Sequence, residues 1–562
     1  MRTQRTTARR RGLAVPFVAL TLVLAGCGDA EESAPAGAAA QLGTTSDINP
    51  RDVSELREGG NLRLALTSLP ENWNVLHTDA SGEVGALARP MMPRAFRTSA
   101  SGELSVDTNF FTDVRLTSTE PQQVTYTINP KAVWSDGSPI TWEDIASQAN
   151  ALSGRDTSYL IKLTTGFDRV AKVERGADDR EAVLTFAQPY SEWRGQFAGN
   201  SFLYPKSVTA SAEAFNNSLR DGITLTAGPF LVRSVDRAQG RVVLAHNPRW
   251  WGATPKLDTI TFSVLSSEAL IPALQNNEID AVGISSIDEM KTARNTPGVA
   301  IRRAPGNSWS HLTFNGSPGS ILADPALRVA VSKAIDRQGI ATAVQNGLVE
   351  NPKPLGNHVF VEGQIGYRDN SLPYDPAAAA AELDALGWKL NGEFREKDGR
   401  RLKFRDVMYN AQSWVQIAQV IQQNLARVGI EMEIVTKPGA GYFTDVIKPG
   451  DFDVAHWVWS GDAFPLSSLP QVYAYNPGGE LQGNYGRIGS PEINALIERS
   501  LVELDPQRAN DLANEVDREL FEIGFSLPLV QSTGNVAVRA DLANYGAPGL
   551  ASYDYTTIGF VR

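Results

Sequence analysis

The chain has 562 residues, 42 % of them apolar and 20 % charged, with a formal net charge of −11. Such a composition describes a folded globule and excludes a disordered chain. The length exceeds what one hydrophobic core serves, so two or three lobes are expected, and the acidic balance argues against nucleic acid as a partner.

In chain order, the first element is a leader. Five arginines (Arg2, Arg5, Arg9, Arg10 and Arg11) precede an apolar stretch from Leu13 to Ala25. A basic start, a short apolar middle and small residues before a cut site read as a secretory signal over residues 1–26. At 13 residues the stretch is too short to span a bilayer, which needs roughly 20. It ends in Leu24-Ala25-Gly26-Cys27, which resembles the lipobox of bacterial lipoproteins. That resemblance implies an acyl group on the Cys27 thiol and an anchor at the outer face of the cytoplasmic membrane. Cys27 is the only cysteine, so no disulfide can form. Without the leader, 47 basic residues stand against 63 acidic ones, a net of −16.

Residues 27–58 are rich in Ala, Gly, Ser and acids and read as a lipidated, disordered tether. Order is expected from about Gly59, where the alternation Leu62, Leu64, Leu66 predicts a strand. Next comes Trp134-Ser135-Asp136-Gly137, a tight turn whose Asp-Gly pair supplies a positive φ. Thr141 then opens a helix, with Asp144 placed for a capping box. Asp324-Pro325, Asp375-Pro376, Ser490-Pro491 and Asp505-Pro506 each set a capping side chain before a proline at the first helical position. One helix runs from Pro376 to Leu386 and stops at Gly387. Another spans about 413–428, followed by Gly429 and a strand over 430–435. Helices alternating with strands argue for an α/β fold.

Signs of catalysis are few. The histidines (His77, His246, His311, His358 and His456) are scattered, with none at metal-ligand spacing on a helix. No Gly-x-Ser-x-Gly elbow, phosphate-cradling loop or cysteine pair is present. The expectation is a protein that is not an enzyme and carries neither cofactor nor metal.

A further set of segments is coherent in order and spacing. After the Trp134–Ile145 stretch come Thr226-Ala227-Gly228-Pro229-Phe230, Asn247-Pro248-Arg249-Trp250-Trp251-Gly252 and Leu312-Thr313-Phe314-Asn315. Ala334-Ile335-Asp336-Arg337, Tyr374-Asp375-Pro376 with Gly387-Trp388, and Asp451-Phe452-Asp453 leading into Trp457-Val458-Trp459 complete it. Together, over about residues 59–535, they resemble the family-5 solute-binding proteins of ABC importers, the oligopeptide- and dipeptide-binding group. The resemblance implies a two-lobed, type II periplasmic-binding-protein-like fold with an extra domain inserted in lobe I. Lobe I would take 59–93, 226–315 and 525–562, the inserted domain 94–225 and lobe II 316–524. It implies a monomer that captures a peptide or similar solute between its lobes and passes it to ABC permease and ATPase subunits.

In peptide-binding members an Asp in a Trp-x-x-Asp stretch pairs with the free amine of the peptide, and the matching stretch here is Trp459-Ser460-Gly461-Asp462. The resemblance makes Asp462 the ammonium partner, Ser460 a backbone partner for an extended peptide, and Trp457 and Trp459 walls of the site. Asn315, where the chain leaves lobe I, would help line the cleft. Tyr442, Phe443 and Tyr473 read as core aromatics, and Trp250-Trp251 as structural. The run after Gly461 departs from the peptide binders, and the chain is also similar to actinobacterial lipoproteins linked to cell-envelope glycolipid metabolism. A regulatory or scaffolding lipoprotein of envelope biogenesis is therefore the alternative expectation.

Overall fold

A computed structural model describes residues 46–439, 441–479 and 481–562. Cys27 and the leader lie outside the described residues. The caps foreseen from the Asp-Pro and Ser-Pro pairs are formed. The side chains of Asp324, Asp375, Ser490 and Asp505 accept the backbone N–H of Ala326, Ala378, Ile493 and Arg508, opening the helices Pro325–Lys333, Pro376–Ala385, Pro491–Val502 and Pro506–Glu522. Each oxygen satisfies a donor that the first helical turn leaves without a partner. Gly387 stands at φ 87° past the second of these helices. The helix Gln412–Arg427 is followed by Gly429 at φ 80° and the strand Glu431–Lys437, as the pattern predicts.

Three sheets organise the described residues around the candidate site. Asn61–Leu66 pairs in parallel with Thr259–Val264, which continues antiparallel into Arg241–His246 and Phe230–Asp236. Leu62, Phe230, Leu244, Ile260 and Phe262 from this sheet are buried. A second, wholly antiparallel sheet orders Phe111–Thr119, Gln122–Ile128, Glu181–Phe186 and Val170–Arg175. The third has five strands, in the order Glu431–Lys437, Lys403–Tyr409, Val454–Ser460, Ser308–Phe314, Ser526–Gln531. Its first three strands run parallel and its last two pairings are antiparallel. Strands 308–314 and 526–531, counted with lobe I by the resemblance, thus share a sheet with strands of lobe II.

Packing begins earlier than Gly59. Leu56 is fully buried, Asp47 exchanges backbone hydrogen bonds with Ala547, and Val53–Glu55 forms a 3-10 turn capped by Asp52. A polar stretch cannot bury a core alone. Here its order comes from the C-terminal segment, which supplies the backbone partners and covers Leu56.

Candidate ligand-binding site

The strand Val454–Ser460 leads into the loop that carries Asp462. Along its whole length it pairs with Ser308–Phe314, whereas Lys403–Tyr409 meets it only at Asp406↔Val454 and Val407↔Ala455. Beyond that point the two parallel strands separate, and the C-terminal end of Val454–Ser460 approaches a cavity of about 360 Å³. Binding sites of α/β sheets gather at such carboxyl ends. One wall comes from residues 75–85, 152–167 and 190–201; the other from Trp309, Val359 and residues 460–471. Lys162 and Tyr190 line the first wall, Ser460 and Asp462 the second.

The Asp462 loop is fixed by main-chain bonds. Gly461 N–H donates to Asn307 O at 2.7 Å, Asn307 Nδ2 returns a bond to Gly461 O at 2.9 Å, and Gln364 Nε2 donates to Asp462 O at 2.9 Å. The Asp462 carboxylate accepts Phe464 N–H at 2.7 Å. Asp462 is exposed and lines the cavity. Desolvation by the protein packed around the cavity mouth pushes its carboxyl up to about 6, against the pull of the Phe464 bond. Facing it, burial pushes Glu192 up to about 8, with bonds from Leu466 and Ser467 opposing and the charge of Asp462 adding. Partial burial lowers the Lys162 ammonium, whose Nζ donates to Ala80 O at 3.3 Å.

The residues singled out from sequence separate into two groups. Asp462 and Ser460 line the cavity; Trp457, Trp459 and Asn315 do not. Trp457 is buried, 4.6 Å from the His311 ring and edge-on to Tyr485 and Phe443. Trp459 is half-buried and stacks on His311 at 5.8 Å. Asn315 is buried and spends its side chain locally: Nδ2 donates to Gly450 O and Phe452 O, and Oδ1 accepts from Ser317. That arrangement makes it a brace for the turn after its strand. Tyr442 and Tyr473 are buried with satisfied hydroxyls, whereas Phe443 is 40 % exposed. Trp250 and Trp251 pack on Phe110.

The buried histidines His358 and His456 face Asp517 and Asp406 at 2.8 Å, away from the cavity. Burial holds His311 well below the ordinary histidine range. Among the described residues no group of three or more His, Cys, Asp or Glu could hold a metal ion. Glu192 and Lys162 had no signal in the sequence. Both come from the distant 152–201 region, and neither sits in a motif; only the folded contact reveals them.

An α/β body with a cavity walled by two separate portions of chain defines a two-lobed binding protein of the type II periplasmic class. Comparison with known proteins gives the family. Residues 112–480 match bacterial extracellular solute-binding proteins, family 5 (middle region), and the chain belongs to that family. It is 56 % identical over 557 residues to the oligopeptide-binding protein OppA of Mycobacterium tuberculosis and of Mycobacterium bovis, covering 98 % of this chain and 93 % of theirs. Among solved structures, the periplasmic EDTA-binding protein EppA superposes with a TM-score of 0.84 at 25 % identity, over 93 % of this chain and 99 % of that one. The oligopeptide-binding protein AppA of Bacillus subtilis, in complex with a nonapeptide, gives 0.74 at 18 % identity, over 90 % and 100 %. No described helix is long and apolar enough to cross a membrane.

Proposed function

We propose that this protein captures short peptides, or solutes that like them carry an ammonium and a carboxylate, and hands them unchanged to the permease and ATPase subunits of an ABC importer. Asp462 is the ammonium partner, Ser460 offers backbone groups to an extended ligand, and Lys162 on the facing wall takes the anionic end. The observation that carries this reading is the single cavity lined by Asp462 on one wall and Lys162 on the other. A carboxylate in a cleft that shuts on its ligand forms a strong charge-assisted bond with an ammonium. The names of the OppA relatives support a peptide. EppA suggests a chelate instead, but the Asp462 carboxylate on this site repels a polyanion such as EDTA.

The lobes are proposed to divide near 303–307 and 532–535, since strand 308–314 pairs with 454–460 on one side and with 526–531 on the other in one sheet. These crossings act as the hinge, and a ligand that touches both walls shifts the population to the closed state. Acylated Cys27 tethers the monomer outside the cell, with no turnover of the ligand.

Thermal-shift screening of the leaderless protein against peptide pools tests the reading. A ligand at 100 times its Kd adds about 2.7 kcal/mol of stability. A flat response to every peptide overturns it and favours a scaffold of envelope glycolipid biogenesis.

A further inference from the structure

We infer that Glu192 is a positioning residue of this site: its carboxylate clasps the turn that follows Asp462, so that closing the cleft and building the ammonium-binding loop are one event. Glu192 precedes the 3-10 turn Trp193–Gly195 on the first wall. Its Oε1 accepts Leu466 N–H at 3.0 Å and its Oε2 accepts Ser467 N–H at 2.6 Å, both from the opposite wall. Those donors belong to the 3-10 turn Pro465–Ser468, where the first N–H groups lack partners within the turn. Ser467 N–H reaches Phe464 O only at 3.3 Å, so the carboxylate supplies its shorter bond.

The Asp462 loop is thereby held at both ends. Its own carboxylate binds Phe464 N–H, and two residues further on Glu192 grips the chain from across the cavity. A carboxylate suits this place because both its oxygens accept; an amide would offer one acceptor and set its N–H₂ against the second donor. The same seam carries two weaker links. Arg169 pairs with Glu498 at 2.9 and 2.5 Å, and Ser191 N–H donates to Leu501 O at 2.7 Å. Glu498 is half-exposed, so that ion pair is screened by water. The ionisable groups that act on Glu192 are Asp462 opposite and Tyr190 on its own wall. With the Asp462 carboxylate on the cavity, the closed state is relieved by a ligand that brings an ammonium and is penalised by one that does not.

This inference rests on the reading that the two walls part to admit a ligand. The test uses the leaderless chain and its Glu192→Gln and Glu192→Asp variants. Titration calorimetry with tri-alanine and N-acetyl-tri-alanine gives affinity, and small-angle scattering of the ligand-free proteins gives closure. Glu192→Gln should weaken tri-alanine binding about tenfold, the loss expected from one charged hydrogen bond. It should also narrow the preference for the free amine over the acetylated peptide and enlarge the ligand-free radius of gyration. Glu192→Asp, which keeps both acceptors, should fall between Glu192→Gln and the wild type. Wild-type affinity and radius in Glu192→Gln would overturn the inference. Equal weakening toward both peptides, in step with a lowered melting temperature, would also overturn it by making Glu192 merely structural. If the wild type binds neither peptide, the functional reading fails, while the scattering comparison still decides whether Glu192 closes the walls.

Discussion

Gly195 and Phe464 meet across the cavity so closely that a methyl group on Gly195 would stand 3.0 Å from Cγ of the Phe464 ring. Glycine at 195 thus sets how near the two walls come. Phe464 is buried and sits between the Asp462 bond and the Glu192 clasp, so its ring cannot withdraw without moving the loop. Gly195→Ala should hold the walls apart. Peptide affinity should fall several-fold in calorimetry while the melting temperature of the ligand-free chain stays near wild type. Undiminished affinity would show that the ring yields.

Asp462→Asn removes the charge but keeps an oxygen for Phe464 N–H. Affinity for a free-amine peptide should drop by about 1.5–3 kcal/mol, the range for a hydrogen bond to a charged group. The N-acetylated peptide should be affected much less. Equal losses for the two peptides would take Asp462 out of the ammonium role.

The raised Asp462 carboxyl gives a pH dependence with a definite sign. In the folded protein the group titrates at about 6, above its ordinary 3.8. The fold therefore favours the protonated form: the penalty for burying the charge is absent below about 3.8 and fully present above about 6. Without ligand, Asp462→Asn should raise the melting temperature at pH 7.5, and the gain should vanish at pH 4. For binding, proton and ammonium compete for one carboxylate. Affinity should be full above pH 7 and decline as pH falls through 6, a decline absent in Asp462→Asn.

Lys162→Met keeps the apolar stem and removes the charge. A peptide with a free C-terminal carboxylate should lose about tenfold in affinity, and its C-terminal amide should lose little. Identical losses for the two would place the anionic end elsewhere.

Much of the local structure was legible in the sequence, and the reason is physical. Asp324, Asp375, Ser490 and Asp505 act on donors two or three residues away, so the pattern that forms the cap is the pattern that is read. Asp462 and Ser460 were reachable because a short motif marks the strand end that meets the cavity. Glu192 and Lys162 were not, because their partners are remote in the chain, Leu466 and Ser467 for the one and Ala80 for the other, and nothing near them announces the contact. Asn315 and Trp457 were placed near the site by the family resemblance. Their surroundings instead commit them to bracing a turn and filling an aromatic core. The early packing at Leu56 was hidden for the same reason as Glu192: its partners are at the other end of the chain.

Stability away from the cleft should depend on Asp517. Fully buried on the helix Pro506–Glu522, it accepts the His358 backbone N–H at 2.7 Å, faces the ring Nδ1 at 2.8 Å and accepts Asn370 Nδ2 at 2.7 Å. Asp517→Ala leaves buried donors without a partner and should reduce unfolding free energy by about 3 kcal/mol in a denaturant titration. Peptide affinity of the folded fraction should be unchanged.

The central claim is a cleft that recognises a ligand by its ammonium group. Calorimetric titration of the leaderless wild type with tri-alanine and with N-acetyl-tri-alanine at pH 7.5 tests it most directly. The account predicts binding of tri-alanine with affinity at least tenfold above that of the acetylated peptide. Equal affinity for both, or binding of neither, would contradict it.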